Sequence, residues 1–128
     1  MILYITLGSN NLPRARVFYD AVMPTIGMQF LRGDAREIGY GPAGATDPIL
    51  WINTPYNDHP ATIGNGSMPA FTAPTRAAVR AFHATALAHG GTDEGEPRLR
   101  YSPAFFACYV RDPDGNKLSA VCILPDAD

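Results

Sequence analysis

Ile2-Leu3-Tyr4-Ile5-Thr6-Leu7-Gly8-Ser9-Asn10-Asn11-Leu12-Pro13 begins as a strand and ends as a helix start. Leu3, Ile5 and Leu7 alternate with Ile2, Tyr4 and Thr6, so one face of a strand over 2–8 can be core. Asn11 is a capping residue, and Pro13 suits the first turn. The helix is expected to run to about Met23, with Val17, Phe18 and Val22 buried, and Pro24 and Gly27 end it. Three short strands follow, over Met28 to Arg32, Arg36 to Gly41 and Ile49 to Asn53.

The same order then begins again. Ser67 to Thr72 reads as a strand, weakened by Pro69. Thr75 caps a helix over Arg76 to His89, with Val79, Phe82 and Ala86 on one face. Gly90 and Gly91 close it. The polar stretch Gly91 to Arg100, with Pro97, has room for a short strand. Ala104 to Arg111 and Lys117 to Leu124 read as a hairpin around Asp112-Pro113-Asp114-Gly115-Asn116. A shift of 64 residues sets Arg16 on Arg80, Phe18 on Phe82, Gly27 on Gly91 and the cap Asn11 on the cap Thr75. The identities are few, and the order of elements carries the repeat. The expected fold is α+β, a single domain of two βαβββ modules, 1–57 and 67–124, joined by a Gly- and Pro-containing linker over 58–66.

Composition narrows the function. The chain has 128 residues, 46% hydrophobic and 17% charged, which is enough to bury one core and excludes a disordered or fibrous chain. A net charge of -2 offers no basic footprint for nucleic acid. The apolar runs are strand-sized and no membrane span is expected. The opening residues lack a basic n-region and read as structure rather than a signal peptide. Two cysteines without a secretion signal point to free thiols in a reducing cytoplasm.

Four pieces resemble one known superfamily: Tyr4-Ile-Thr-Leu-Gly-Ser-Asn-Asn-Leu, Arg16-Val-Phe-Tyr-Asp-Ala-Val, Gly64-Asn-Gly-Ser-Met-Pro-Ala-Phe, and Arg111-Asp-Pro-Asp-Gly-Asn-Lys-Leu-Ser-Ala-Val-Cys. Together they are similar to the vicinal oxygen chelate superfamily of glyoxalases, bleomycin resistance proteins, fosfomycin-resistance transferases and extradiol dioxygenases. The resemblance implies two curled sheets around a cleft and, in metal-dependent members, one divalent ion held by His and Glu. It also implies a homodimer.

At the positions that the resemblance assigns to those ligands stand Tyr4, Met68, Ser119 and Trp51. A phenol, a thioether, a hydroxyl and an indole make a poor divalent-ion site. No metal and no other cofactor is therefore expected. His83 and His89 fall on a helix, and His59 in the linker has no companion ligands. Strand alternation places Tyr4, Thr6, Trp51, Asn53, Met68, Tyr109 and Ser119 on one cleft lining, which suits a small, largely apolar or aromatic ligand. It places no carboxylate there, so a cationic drug is a poor fit. Leu3, Ile5, Leu7, Phe71, Phe106, Val110, Leu118 and Ala120 are expected to meet the helices. Cys108 and Cys122 fall on that side too, as inert thiols. Three readings stay open: a metal-free binding protein, a divalent-metal-dependent lyase, isomerase or ring-cleaving dioxygenase with other ligands, and a ligand-free structural or regulatory dimer whose cleft is filled.

Overall fold

Asn11 caps the first helix through its side chain, the Oδ1 atom accepting the Arg14 N–H at 3.0 Å, and Thr75 caps the second in the same way with the Ala78 N–H at 3.0 Å. These caps organise a computed structural model that describes residues 1–124. Strand β1 (Ile5–Gly8) leads into helix α1 (Leu12–Val22), which tightens into a 3-10 turn over Met23–Ile26. Pro24 sits at the start of that turn, and Gly27, at a φ of 82°, ends it. Then come β2 (Met28–Gly33), β3 (Glu37–Pro42) and β4 (Leu50–Asn53). The second half repeats the order with β5 (Ala70–Thr72), α2 (Arg76–Ala88), β6 (Thr92–Leu99), β7 (Phe106–Arg111) and β8 (Lys117–Cys122).

Each half forms one four-stranded mixed sheet, ordered β1-β4-β3-β2 in the first and β5-β8-β7-β6 in the second. The opening strand lies parallel to the closing strand in both, and the other pairs are antiparallel. The α+β class and the two similar modules expected from the sequence are the ones observed.

One core serves both sheets. Ala15, Phe18, Tyr19 and Val22 supply the buried stripe of α1, and Val79, Phe82 and Ala86 that of α2. They meet Ile38, Tyr40, Leu50 and Ile52 from the first sheet and Phe71, Cys108, Val110, Leu118 and Ala120 from the second. Val17, expected inside, is 61% exposed. It lies about 100° around the helix from Phe18, while Ala15 and Tyr19 complete the i, i+3, i+4 row.

Three strand boundaries depart from expectation. Residues 2–4 form no strand, and Leu3, expected against the helices, is 78% exposed. Ile5 is the register partner of Leu50, so the chain before it would face Asp47-Pro48-Ile49, a segment outside the strand whose proline has no N–H. Strand β5 begins only after Pro69, whose carbonyl accepts the Ser119 N–H at 3.0 Å. The polar stretch before Arg100 holds a full eight-residue strand, because β7 supplies its partners and two register shifts, one spanning Pro97, absorb the residues that cannot join the ladder.

The hairpin turn between β7 and β8 locks the modules together. Asp112 is 3% exposed, and its Oδ1 accepts the N–H groups of Asp114 and Asn116, both at 2.9 Å. Its Oδ2 accepts the Tyr19 hydroxyl at 2.5 Å and the Asn116 amide at 3.0 Å. Asn116 also donates to the Gly8 carbonyl at 2.9 Å, and Asp114 receives the Asn10 N–H at 2.9 Å and Arg14 at 2.8 Å. Gly115 closes the turn at a φ of 92°, where a side chain is strained. The stretch after β4 is pinned to the same place, since Asn10 and Ala61 exchange two hydrogen bonds, at 2.7 and 3.0 Å.

Candidate functional site

The approach to β1 and the approach to β5 run side by side and leave a groove of about 700 Å³ between them. Tyr4, Thr6, Met68 and Ala70 line it, with Ile2, Leu3 and Ile49. Its walls are mostly apolar, and Tyr4 and Met68 are 52% and 38% exposed. Both side chains are therefore open to solvent at the groove.

A second hollow of about 550 Å³ lies against the first sheet and shares Leu3, Tyr4 and Thr6 with the groove. Trp51 forms its floor together with Pro48 and Asn53. Gly39 sits opposite Trp51 in the ladder. A Cβ on Gly39 would stand 2.8 Å from the indole and 2.5 Å from Pro48, so a side chain there would collide with both. The Arg32 guanidinium lies 5.4 Å from the indole centroid, within cation–π range, and pairs loosely with Asp47 at 3.7 Å. Glu37 joins the same wall.

Of the seven residues expected to share one lining, the structure brings together Tyr4, Thr6, Trp51 and Asn53 around the second hollow, and Tyr4, Thr6 and Met68 along the groove. Tyr109 and Ser119 line neither. Ser119 is fully buried between its ladder partners Ala70 and Tyr109, and its hydroxyl bonds no described group. Tyr109 lies under the Arg100 guanidinium, 5.0 Å from its ring centroid. Burial, and then the Tyr101 hydroxyl bonded to it, raise the Tyr109 phenol above its ordinary value, so it stays protonated. The lining also holds two carboxylates, Glu37 and Asp47, which the sequence reading did not place there. Antiparallel pairing of β3 and β4 sets Glu37 opposite Asn53, and that register was the available signal. Arg32 and Asp47 come from β2 and from the loop before β4, and no strand alternation points to them.

A divalent ion does not fit these residues. Tyr4, Met68, Trp51 and Ser119 offer no imidazole and no carboxylate, and among the described residues no group of three His, Cys, Asp or Glu stands close enough to hold an ion. His59 lies beside Asn11 and Pro13 at the start of α1. His83 bonds Asp93 at 2.8 Å, and His89 bonds the Thr85 carbonyl at 2.9 Å. Neither Cys108 nor Ser119 is set up as a nucleophile. Cys108 is buried, its Sγ 3.6 Å from the Val79 carbonyl, and burial pushes its thiol up to about 11. Ser119 has no hydrogen bond to the nearby Lys117, hence no base.

Known proteins share this architecture. A glyoxalase/bleomycin resistance protein from Albidiferax ferrireducens T118 superposes with a TM-score of 0.82 at 36% identity, over 92% of this chain and 94% of that one. A glyoxalase/bleomycin resistance protein/dioxygenase family enzyme from Burkholderia phytofirmans PsJN gives 0.73 at 18% identity, over 96% and 98%. Lactoylglutathione lyase from Agrobacterium tumefaciens gives 0.63 at 19%, over 94% and 92%. The last two similarities speak for the fold alone. A search among curated proteins finds no match. The model of the Glyoxalase/Bleomycin resistance protein/Dioxygenase superfamily matches residues 1–119, which takes in the first module, most of the second, both helices and the hairpin turn that locks them, and the chain belongs to that superfamily.

Proposed function

We propose that this protein binds a small, largely apolar or aromatic molecule in the groove between β1 and β5, without the divalent ion that metal-dependent relatives carry. The observation that carries the reading is a groove of about 700 Å³ flanked by Tyr4 and Met68, two of the positions that the family resemblance assigns to metal ligands. A volume of this size suits a small organic molecule, and a thioether and a phenol favour a flat, polarisable one. Among the described residues no helix is long and apolar enough to cross a membrane, and both cysteines are free and buried, which supports a cytoplasmic location.

The neutral dye anilinonaphthalene tests the groove. It is expected to bind and to take up excitation from Trp51, the only tryptophan of the chain, which sits in the adjoining hollow. Ala70 is exposed and lines the groove, so Ala70→Trp is expected to weaken the dye by at least about tenfold while leaving the unfolding midpoint in place. A dye that binds the variant as well as the parent contradicts the reading. Elemental analysis of protein purified without chelator is expected to find no stoichiometric divalent ion. About one Zn, Mn, Fe or Ni per chain, lost on substitution of the groove residues, would establish the metal-dependent alternative instead.

A homodimer is part of the same proposal. Ile2, Leu3, Ile123 and Leu124 are 79%, 78%, 60% and 56% exposed, an apolar cost that a partner surface would offset. Sedimentation is expected to show a dimer at micromolar concentration, and a monomer throughout that range would refute it.

A further inference from the structure

At its Ser67 and Met68 end the groove continues into a smaller hollow of about 360 Å³, enclosed by the Gly64–Ser67 turn and by Arg111 and Lys117. The turn closes on its own hydrogen bond, Ser67 N–H to the Gly64 carbonyl at 2.8 Å, with Gly66 at a φ of 98°. Among the described residues the amides of Asn65 and Gly66 donate to no acceptor. Lys117, the chain's single lysine, is half-buried and forms no ion pair with a described carboxylate; its ammonium lies 5.5 Å from the Tyr109 ring centroid. Arg111 gives Nε to Glu94 and Nη1 to the Gly115 carbonyl at 2.8 Å, and its Nη2 bonds no described group. Two cations with one carboxylate between them leave net positive charge in a recess, the setting in which a bound anion gains charge-assisted hydrogen bonds.

We propose that this recess is an anion site, and that the molecule held by the groove is amphipathic: a carboxylate, sulfonate or phosphate group beside Lys117 and Arg111, carrying an apolar or aromatic body along Met68 and Tyr4. The anion site rests on the groove-binding reading above and adds a head group to it. The apolar groove and the cationic recess share Ser67 and Met68, so one short molecule reaches both.

Two dyes with the same rings separate the claims: neutral anilinonaphthalene and anilinonaphthalene sulfonate. The sulfonate is expected to bind about tenfold more tightly than the neutral dye, the difference made by one or two charge-assisted hydrogen bonds. Lys117→Met is expected to erase that difference, and Lys117→Arg to keep most of it. Inorganic phosphate is expected to protect Lys117 from an amine-acylating reagent, read by peptide mass spectrometry. Equal binding of the two dyes to the parent, an unchanged difference in Lys117→Met, or acylation that phosphate does not slow would overturn the anion site while leaving the groove reading intact. Failure of both dyes to bind would overturn the groove and the anion site together.

Discussion

Asp112→Ala is expected to lower the stability of the fold by about 3–5 kcal/mol, because it leaves several buried donors without an acceptor, each costing about 1–3 kcal/mol. The carboxylate receives four hydrogen bonds, from the Tyr19 hydroxyl, the Asp114 and Asn116 N–H groups and the Asn116 amide. Alanine leaves a fully buried phenol and the nearly buried Asn116 without their acceptor. It also loosens the tie between the second module's hairpin and the first module's opening strand, since Asn116 loses the group that aims it at the Gly8 carbonyl. Tyr19→Phe should cost only about 1–2 kcal/mol, because Asp112 keeps three of its donors. Urea denaturation of both variants makes the comparison. A loss under about 1 kcal/mol for Asp112→Ala would mean that water replaces the network and that the turn does not lock the modules.

Stability is expected to fall steeply above about pH 10. Two fully buried phenols, Tyr19 and Tyr40, set most of this, and the buried Cys108 thiol and the Tyr109 phenol, whose values burial also raises, add to it. Burial raises Tyr19 well above its ordinary value of 10.0, and the negative charge of Asp112 adds to it. Burial likewise raises Tyr40, helped by its hydrogen bond to Asp20 at 2.7 Å. Above the ordinary value the unfolded chain loses both protons while the native protein keeps them. The phenols' stabilisation is therefore complete below pH 10 and drains away as pH rises toward the native values, while that of the Cys108 thiol begins to drain from about pH 9. Each phenol contributes a slope of about 1.4 kcal/mol per pH unit, so the pair gives nearly double that. Urea midpoints measured between about pH 9 and about pH 12 follow this directly. The double variant Tyr19→Phe with Tyr40→Phe should flatten the alkaline limb, and an unchanged slope would place the titrating groups elsewhere.

Local physics was legible from the residues alone. Asn11 and Thr75 announce helix starts because a side-chain oxygen satisfies an N–H that the helix cannot. The Val79, Phe82 and Ala86 row needs only the helical period, and Asp-Pro-Asp-Gly-Asn needs only turn chemistry. The repeated order of elements follows from these signals, whereas the assignment of Tyr4, Met68 and Ser119 to ligand positions came only from the resemblance to the superfamily. Pairing partners decided the rest. Residues 2–4 have a strand-like sequence and no strand beside them, while Thr92–Leu99 has a poor strand sequence and a long neighbour in β7. The site divides the same way. Which residue types face the cleft follows from alternation along one strand. That Glu37 stands across from Asn53, that Arg32 and Asp47 reach Trp51, and that Ser119 is sealed between Ala70 and Tyr109 depend on register between strands far apart in the chain. Alternation is a property of one segment and is written in its residues. Register is a property of two segments and the loop between them, and it is settled only when the sheets close on a common core.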